Sequence, residues 1–204
     1  PEEIYNAYTG KGGLHGLSRK DYASYQEYSR AKKDAEDGQF FTPPEYCQLL
    51  LSSLGLTAED RIADLTCGMG NFINFCPSEE NFYGCEMDAD AFKIACFLYP
   101  KAYLEHQDIR EYCPGVFFDC VVGNPPFNLS WEYGDKKVSS QLGYCLIAAE
   151  MLVPLGILAV IVPESFLADS FMDQDAIRLM EERYSFLCHA VLPETMFSAY
   201  GVGK

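Results

Sequence analysis

Phe117-Phe118-Asp119-Cys120-Val121-Val122-Gly123-Asn124-Pro125-Pro126-Phe127 is the stretch on which the reading of this chain turns. Its first six residues form an apolar run with one acid, the pattern of a buried strand. Two consecutive prolines cannot continue a ladder, so the chain must break at the strand's carboxyl end. In an open α/β sheet that is where ligands bind. The break sets an amide side chain, a proline carbonyl and an aromatic ring at the rim of a crevice. Such groups accept hydrogen bonds from an amino group and stack on its ring. They suit a flat nitrogen heterocycle better than an alcohol or a thiol.

Outward from this stretch, strand and helix signals alternate. Strands are predicted near 61–65, 81–86, 102–105, 117–122, 156–162 and 186–192. Helices are predicted near 70–76, 88–98, 139–153 and 173–184. Alternation of this kind implies βαβ units and a mostly parallel, twisted sheet with helices on both faces. Pro43-Pro44 should open an earlier helix through Leu54, with Thr42 as its cap. Residues 20–36 lack glycine and proline and carry tyrosines at helical spacing, which predicts a helix ending near Gly38. Thr9-Gly10-Lys11-Gly12-Gly13 has no preceding strand and lacks the Gly-Lys-Ser/Thr order of a phosphate loop, so a flexible loop is the better reading. No internal repeat is present.

Composition sets limits. The 204 residues have room for one α/β domain and some extra helix, and 49% hydrophobic content is ample for one core. No apolar run reaches the roughly 18 residues of a membrane span, so no membrane partner is expected. The nine cysteines form no Cys-x-x-Cys pair, and the three histidines do not cluster with them. Reduced, buried thiols in a cytoplasmic protein are therefore expected, without a disulfide frame or a metal site. The net charge of −15 is awkward for a nucleic-acid partner, because duplex affinity comes largely from lysine and arginine on phosphates. Basic residues gather early, at Lys11, Arg19, Lys20, Arg30, Lys32 and Lys33, and again at Lys136 and Lys137. This balance argues that the chain does not hold DNA unaided.

Another site-forming segment lies upstream. The short strand Ile62-Ala63-Asp64-Leu65 turns through Thr66-Cys67-Gly68-Met69-Gly70. Gly68 and Gly70 allow a tight turn and close backbone approach to a ligand. Glu86 ends the next strand, eighteen positions after Gly68. That is near the separation at which a carboxylate meets a ribose hydroxyl in dinucleotide folds. Asp64 could accept from an ammonium group. Two acids would repel a pyrophosphate, so a zwitterion with a sulfonium and a ribose suits the site better.

These segments, taken in order, resemble the motifs of S-adenosylmethionine-dependent adenine-N6 DNA methyltransferases. Asn124-Pro125-Pro126-Phe127 looks like the catalytic signature. Asp64-Leu65-Thr66-Cys67-Gly68-Met69-Gly70 looks like the first motif, usually Asp-Pro-Ala-Cys-Gly-Ser-Gly, from which Leu65 and Thr66 depart. Glu86-Met87-Asp88 is similar to the next motif, and His106-Gln107-Asp108-Ile109 to the one after it. Gly38-Gln39-Phe40-Phe41-Thr42-Pro43-Pro44-Glu45 resembles the amino-terminal cofactor motif, and its place before the glycine turn is the order of the gamma class. That class includes the modification subunits of type I restriction systems.

The resemblance covers about residues 38–204. It implies a Rossmann-like class I methyltransferase domain there, behind an amino-terminal helical extension over 1–37. It implies S-adenosylmethionine bound by Phe41, Thr42, Asp64, Thr66, Gly68, Gly70, Glu86, Met87, Asp108, Ile109 and Asn124. Phe41 and Thr42 would touch the methionine part, Glu86 the ribose, Met87 the adenine ring, and Asp108 its amino group. Asn124 and the Pro125 carbonyl would accept the two hydrogens of a target adenine amino group, with Pro126 shaping the turn and Phe127 stacking on the base. That base must leave the duplex to enter. Phe197 looks like a later aromatic that would flank the base.

The polar, aromatic segment 130–141 is expected to be a loop that could close over substrate or touch phosphate. Family members continue into a last antiparallel strand, so the chain is expected to be a catalytic fragment truncated before it. It would lack that strand and any target-recognition domain or specificity subunit, and segment 186–192 would be displaced, mobile or paired with another chain. Other readings remain open here: a methyltransferase acting on protein glutamine or RNA guanine, a non-catalytic assembly subunit, or helicase or nuclease parts in a larger polypeptide.

Overall fold

The computed structural model describes residues 1, 3–4, 19–36, 40–127, 129–167, 174–193 and 196. Helix α1 (Tyr25–Glu36) lies in the amino-terminal part and α2 (Pro44–Ser53) follows the double proline. The strands are β1 (Ile62–Asp64), β2 (Phe82–Glu86), β3 (Tyr103–His106), β4 (Phe118–Gly123), β5 (Ser130–Tyr133), β6 (Lys136–Ser139) and β7 (Leu152–Val160). Helix α3 (Ala89–Leu98) joins β2 to β3, α4 (Ser140–Met151) precedes β7, and α5 (Gln174–Arg183) is the last element among the described residues.

Five strands form one sheet in the order β3-β2-β1-β4-β7, and every neighbouring pair is parallel. Strand β1 is central and buried along its whole length, as a strand covered on both faces must be. The period-two alternation of side chains divides the core between those faces, except that the irregular register between Phe118 and Cys120 turns Phe118 to the face opposite Cys120. Ile62, Phe82, Cys120 and Val122 pack with Cys47 and Leu51 of α2 and with Phe72 and Ile73. Ala63, Cys85, Phe118 and Val121 pack with Tyr144 and Ala148 of α4. Helices thus cover both faces of a parallel sheet.

Caps explain where two helices start. The Asp88 carboxylate accepts from the backbone N–H groups of Asp90 and Ala91, at 3.1 and 2.7 Å, at the head of α3. The Ser139 hydroxyl accepts from Leu142 N at the head of α4, at 3.4 Å. Each satisfies donors that a first helical turn leaves orphaned.

Several expectations are corrected. Segment 70–76 is not an α-helix: Gly70 sits at φ +83°, and only the 3₁₀ turn Ile73–Phe75 forms before Pro77. Thr42 does not cap α2; Pro43 holds that position without a side-chain bond, and Thr42 is buried. Segment 130–141 is an antiparallel β5–β6 hairpin running into α4, rather than a loop. It is anchored because Trp131 packs where Gly143 of α4 lacks a side chain; a Cβ there would meet the indole at 2.8 Å. Strand β7 begins at Leu152, earlier than expected, and absorbs an irregular register against β4, with exposed Leu155 at φ +68°. Residues 184–193 form no strand. The expected loop at 9–13, and Phe197, lie outside the described residues. All nine cysteines are free thiols.

Candidate functional site

The strand order reverses between β1 and β4. From β1 the chain continues to β2 on one side, while β4 lies on the other. At such a switch point the connections diverge and leave a crevice beyond the carboxyl ends of the strands. Three segments meet there: 64–70 after β1, 86–88 after β2 and 123–127 after β4.

The turn after β1 is held by acids. Gly68 and Gly70 both take positive φ, +55° and +83°. Side chains there would be strained, and the space is filled besides: a Cβ on Gly68 would lie 2.9 Å from the Phe41 ring, and one on Gly70 2.8 Å from the Tyr99 ring. Glu86 Oε2 accepts from Gly68 N at 2.8 Å, and its Oε1 accepts from Asp88 N at 2.7 Å. One carboxylate therefore joins the turn to the end of β2. Burial raises the Glu86 pKa, while the N–H groups of Asp88 and Gly68 oppose the rise. Asp64 is only 2% exposed, and its Oδ1 accepts from Thr66 N at 3.0 Å. Burial pushes its pKa up to about 7, against the Thr66 N–H.

The turn after β4 is held by the amino-terminal motif. Asn124 Nδ2 donates to the Phe40 carbonyl at 2.5 Å. A carbonyl only accepts, so the amide nitrogen must face it, and that fixes the direction of Asn124 Oδ1. Asn124 Oδ1 is buried and has no hydrogen-bond partner among the described residues; the same is true of Thr66 Oγ1. An unpaired buried acceptor costs about 1–3 kcal/mol, and such a group calls for an explanation such as a ligand that supplies the donor. The Phe127 ring lies nearly parallel to that of Phe40, at 17° with centroids 6.3 Å apart. Pro125 is fully buried. The Ser140 hydroxyl donates to the Pro126 carbonyl at 2.5 Å, so the start of α4 fixes the loop's exit.

The remaining expected residues divide. Phe41 is buried with Met69 and Ala91, and the Thr42 carbonyl accepts from Asn71 Nδ2 at 2.8 Å. Both residues are thus at the glycine turn, the first as packing beneath it. Met87 is exposed and Ile109 buried. Both Asp108 oxygens are engaged by Arg110, and the guanidinium hydrogen bond, ahead of other causes, holds that carboxyl below its usual range. The Asp108 carboxylate is therefore ion-paired. Phe40 and Ser140 have no sequence signal for these roles. Phe40 acts through its backbone carbonyl, which no side-chain pattern reports. Ser140 has the sequence signature of ordinary helix-start chemistry.

The sheet order and crevice define the Rossmann-like fold of class I S-adenosylmethionine-dependent methyltransferases. The chain matches no family model. It is 26% identical over 153 residues to the type II methyltransferase M.CvrRI of Paramecium bursaria Chlorella virus XZ-6E, covering 69% of this chain and 40% of the viral protein. It is 27% identical to the defense against restriction protein B of Escherichia phage P1, over 98% of this chain and 8% of the phage protein. Among solved structures, it superposes on a protein assigned as a modification subunit of a type I restriction enzyme from Vibrio vulnificus YJ016. There the TM-score is 0.60 and the identity 18%, over 78% of this chain and 41% of that one. The EcoKI M protein gives a TM-score of 0.53 at 19% identity, over 76% and 40%. The two solved structures share the fold, and the viral relative is a methyltransferase. The chain spans less than half the length of each of these proteins.

The crevice fits the cofactor of that fold. It offers glycine backbone for close approach, an unpaired Thr66 hydroxyl, and two carboxylates that favour an ammonium and ribose hydroxyls over a phosphate.

Proposed function

We propose that this chain is the catalytic part, over about residues 38–204, of a DNA methyltransferase of a restriction–modification system. It would move a methyl group from S-adenosylmethionine to the N6 amino group of adenine. The observation that carries this reading is the buried, partnerless Asn124 Oδ1, aimed by the bond from Nδ2 to the Phe40 carbonyl.

When bound, S-adenosylmethionine supplies an electrophilic methyl group. Asp64 would hold the ammonium and Glu86 the ribose hydroxyls; Gly68 and Gly70 would let the backbone approach, with Thr66, Met87, Ile109 and Asp108 around the nucleoside. An adenine amino group is a poor nucleophile because its lone pair is delocalised into the ring. Asn124 Oδ1 and the Pro125 carbonyl would accept its two hydrogens and favour a tetrahedral nitrogen with a directed lone pair. No strong base is needed, since the work is mainly positioning. Phe127 would stack on a base flipped out of the duplex. With a net charge of −15, a separate target-recognition part or specificity subunit would supply most of the DNA contact. A cytoplasmic setting fits nine free thiols.

The charge also favours an alternative reading, in which the amino group belongs to a protein glutamine. Mass analysis of the methylated product separates the two. The test of the mechanism is Asn124→Ala. Cofactor affinity should hold within a few-fold while turnover falls by at least about 100-fold, as for loss of a transition-state hydrogen-bonding group. Near-normal turnover would sink it.

A further inference from the structure

Tyr144 belongs to none of the roles above. It lies on α4, its side chain is wholly buried, and its ring packs among Ala63, Leu65, Val121 and Ala148. Its hydroxyl donates to the Val122 carbonyl at 2.6 Å and accepts from Leu65 N at 3.1 Å. It also lies 3.5 Å from Asp64 Oδ1.

The position of these partners gives the contacts their meaning. The β1–β4 ladder ends at the pair Asp64–Val122. The hydroxyl bridges the same two strands at the point where they diverge. Leu65 opens the glycine turn, and Val122 stands two residues before Asn124. A single oxygen therefore ties the cofactor side of the crevice to the amide side. The fit is tight: a Cβ on Gly123 would lie 2.2 Å from the hydroxyl, so the bridge requires glycine there. Burial raises the Tyr144 pKa well above its ordinary value, so the phenol keeps the proton that it donates.

We propose that Tyr144 is a positioning residue whose hydroxyl sets the spacing between the turn after β1 and the Asn124 loop after β4, and so the alignment of donor and acceptor in methyl transfer. This rests on the proposed function. The ring supplies the packing. The hydroxyl adds two strand-end bonds that phenylalanine would lack, and those bonds are its role.

The test compares the wild-type protein with Tyr144→Phe, Gly123→Ala and the double variant. Three quantities are measured: hydrogen exchange at the Leu65 amide, S-adenosylmethionine affinity by calorimetry, and kcat on adenine-containing DNA. Tyr144→Phe should fold, speed exchange at Leu65, and change Kd by less than about threefold. It should lower kcat about 10- to 100-fold, the scale of a small misplacement of reacting groups. Gly123→Ala, whose Cβ would also lie 2.8 Å from the Tyr144 ring and 3.2 Å from Asp64 Oδ1, should lower kcat by displacing the hydroxyl and weaken cofactor binding through Asp64, and the double variant should lose less kcat than the product of the two effects. A folded Tyr144→Phe with kcat within twofold of wild type, or multiplicative losses in the double variant, would overturn the positioning role alone. A folded wild type that neither binds the cofactor nor methylates would overturn the site reading, and the positioning role with it.

Discussion

The crevice and the far edge of the sheet contrast sharply. Around the crevice, the turns are tied to side chains: Gly68 and Asp88 to Glu86, Thr66 to Asp64, Asn124 to Phe40 and Pro126 to Ser140. Beyond β7, which ends the sheet among the described residues, segment 184–193 is as apolar as any strand but has no regular structure. Phe186, Leu187 and Val191 are exposed there by 70%, 77% and 80%. Only the ends of this segment reach the core: Tyr184 packs there and donates to the Cys145 carbonyl at 2.6 Å, and Leu192 packs at the other end. The difference teaches that hydrophobicity alone does not make a strand. Backbone groups need partners, and the crevice supplies them from acids and amides close to the strand ends.

The contrast can be tested by substitution. The largest stability effect should come from Gly70→Ala, which meets both a φ of +83° and the Tyr99 ring at 2.8 Å. Left-handed strain and overpacking together should lower unfolding free energy by about 2–4 kcal/mol, read by denaturant titration. A loss below about 0.5 kcal/mol would mean that the crevice is as loose as the edge.

A smaller, pH-dependent effect should come from Asp64→Asn. The folded-state pKa of Asp64 is raised to about 7 from 3.8. Between those values the native state binds the proton and the unfolded state does not, so wild-type stability falls as pH rises through this window. The variant lacks this dependence. Relative to wild type it should gain on the order of 4 kcal/mol in going from about pH 4 to about pH 8. A difference that is flat with pH would show that Asp64 is not held in a desolvated site.

At the edge, Leu187→Ser should leave stability within about 0.5 kcal/mol, as for substitutions away from packed features. A loss of about 2 kcal/mol or more would show that the middle of the segment, 186–191, is packed after all.

The same contrast explains what was legible in the sequence. The five sheet strands and the β1–β2–β4 site segments announce themselves through short apolar runs ending in glycine, acid or proline. Asp88 and Ser139 announce two helix starts. Legibility fails where the deciding partner is distant in sequence. Tyr144 is one apolar residue among many in its helix, and only the fold brings it to Leu65, 79 positions away. The Phe40 carbonyl meets Asn124 across 84 positions. The β5–β6 hairpin rests on Trp131 meeting the bare backbone of Gly143, a contact without a local signature. Segment 186–192 fails for the converse reason: its composition is that of a strand, but no neighbour among the described residues pairs with it.

If the carboxyl ends of β1, β2 and β4 form a cofactor site, calorimetric titration of S-adenosylmethionine into the wild-type protein and Glu86→Ala shows it most directly. Wild type should bind in the micromolar range, and the variant should bind about 10- to 100-fold more weakly through loss of a charged hydrogen-bond acceptor. Absence of binding to folded wild-type protein, or equal binding to both, would contradict the assignment of this crevice.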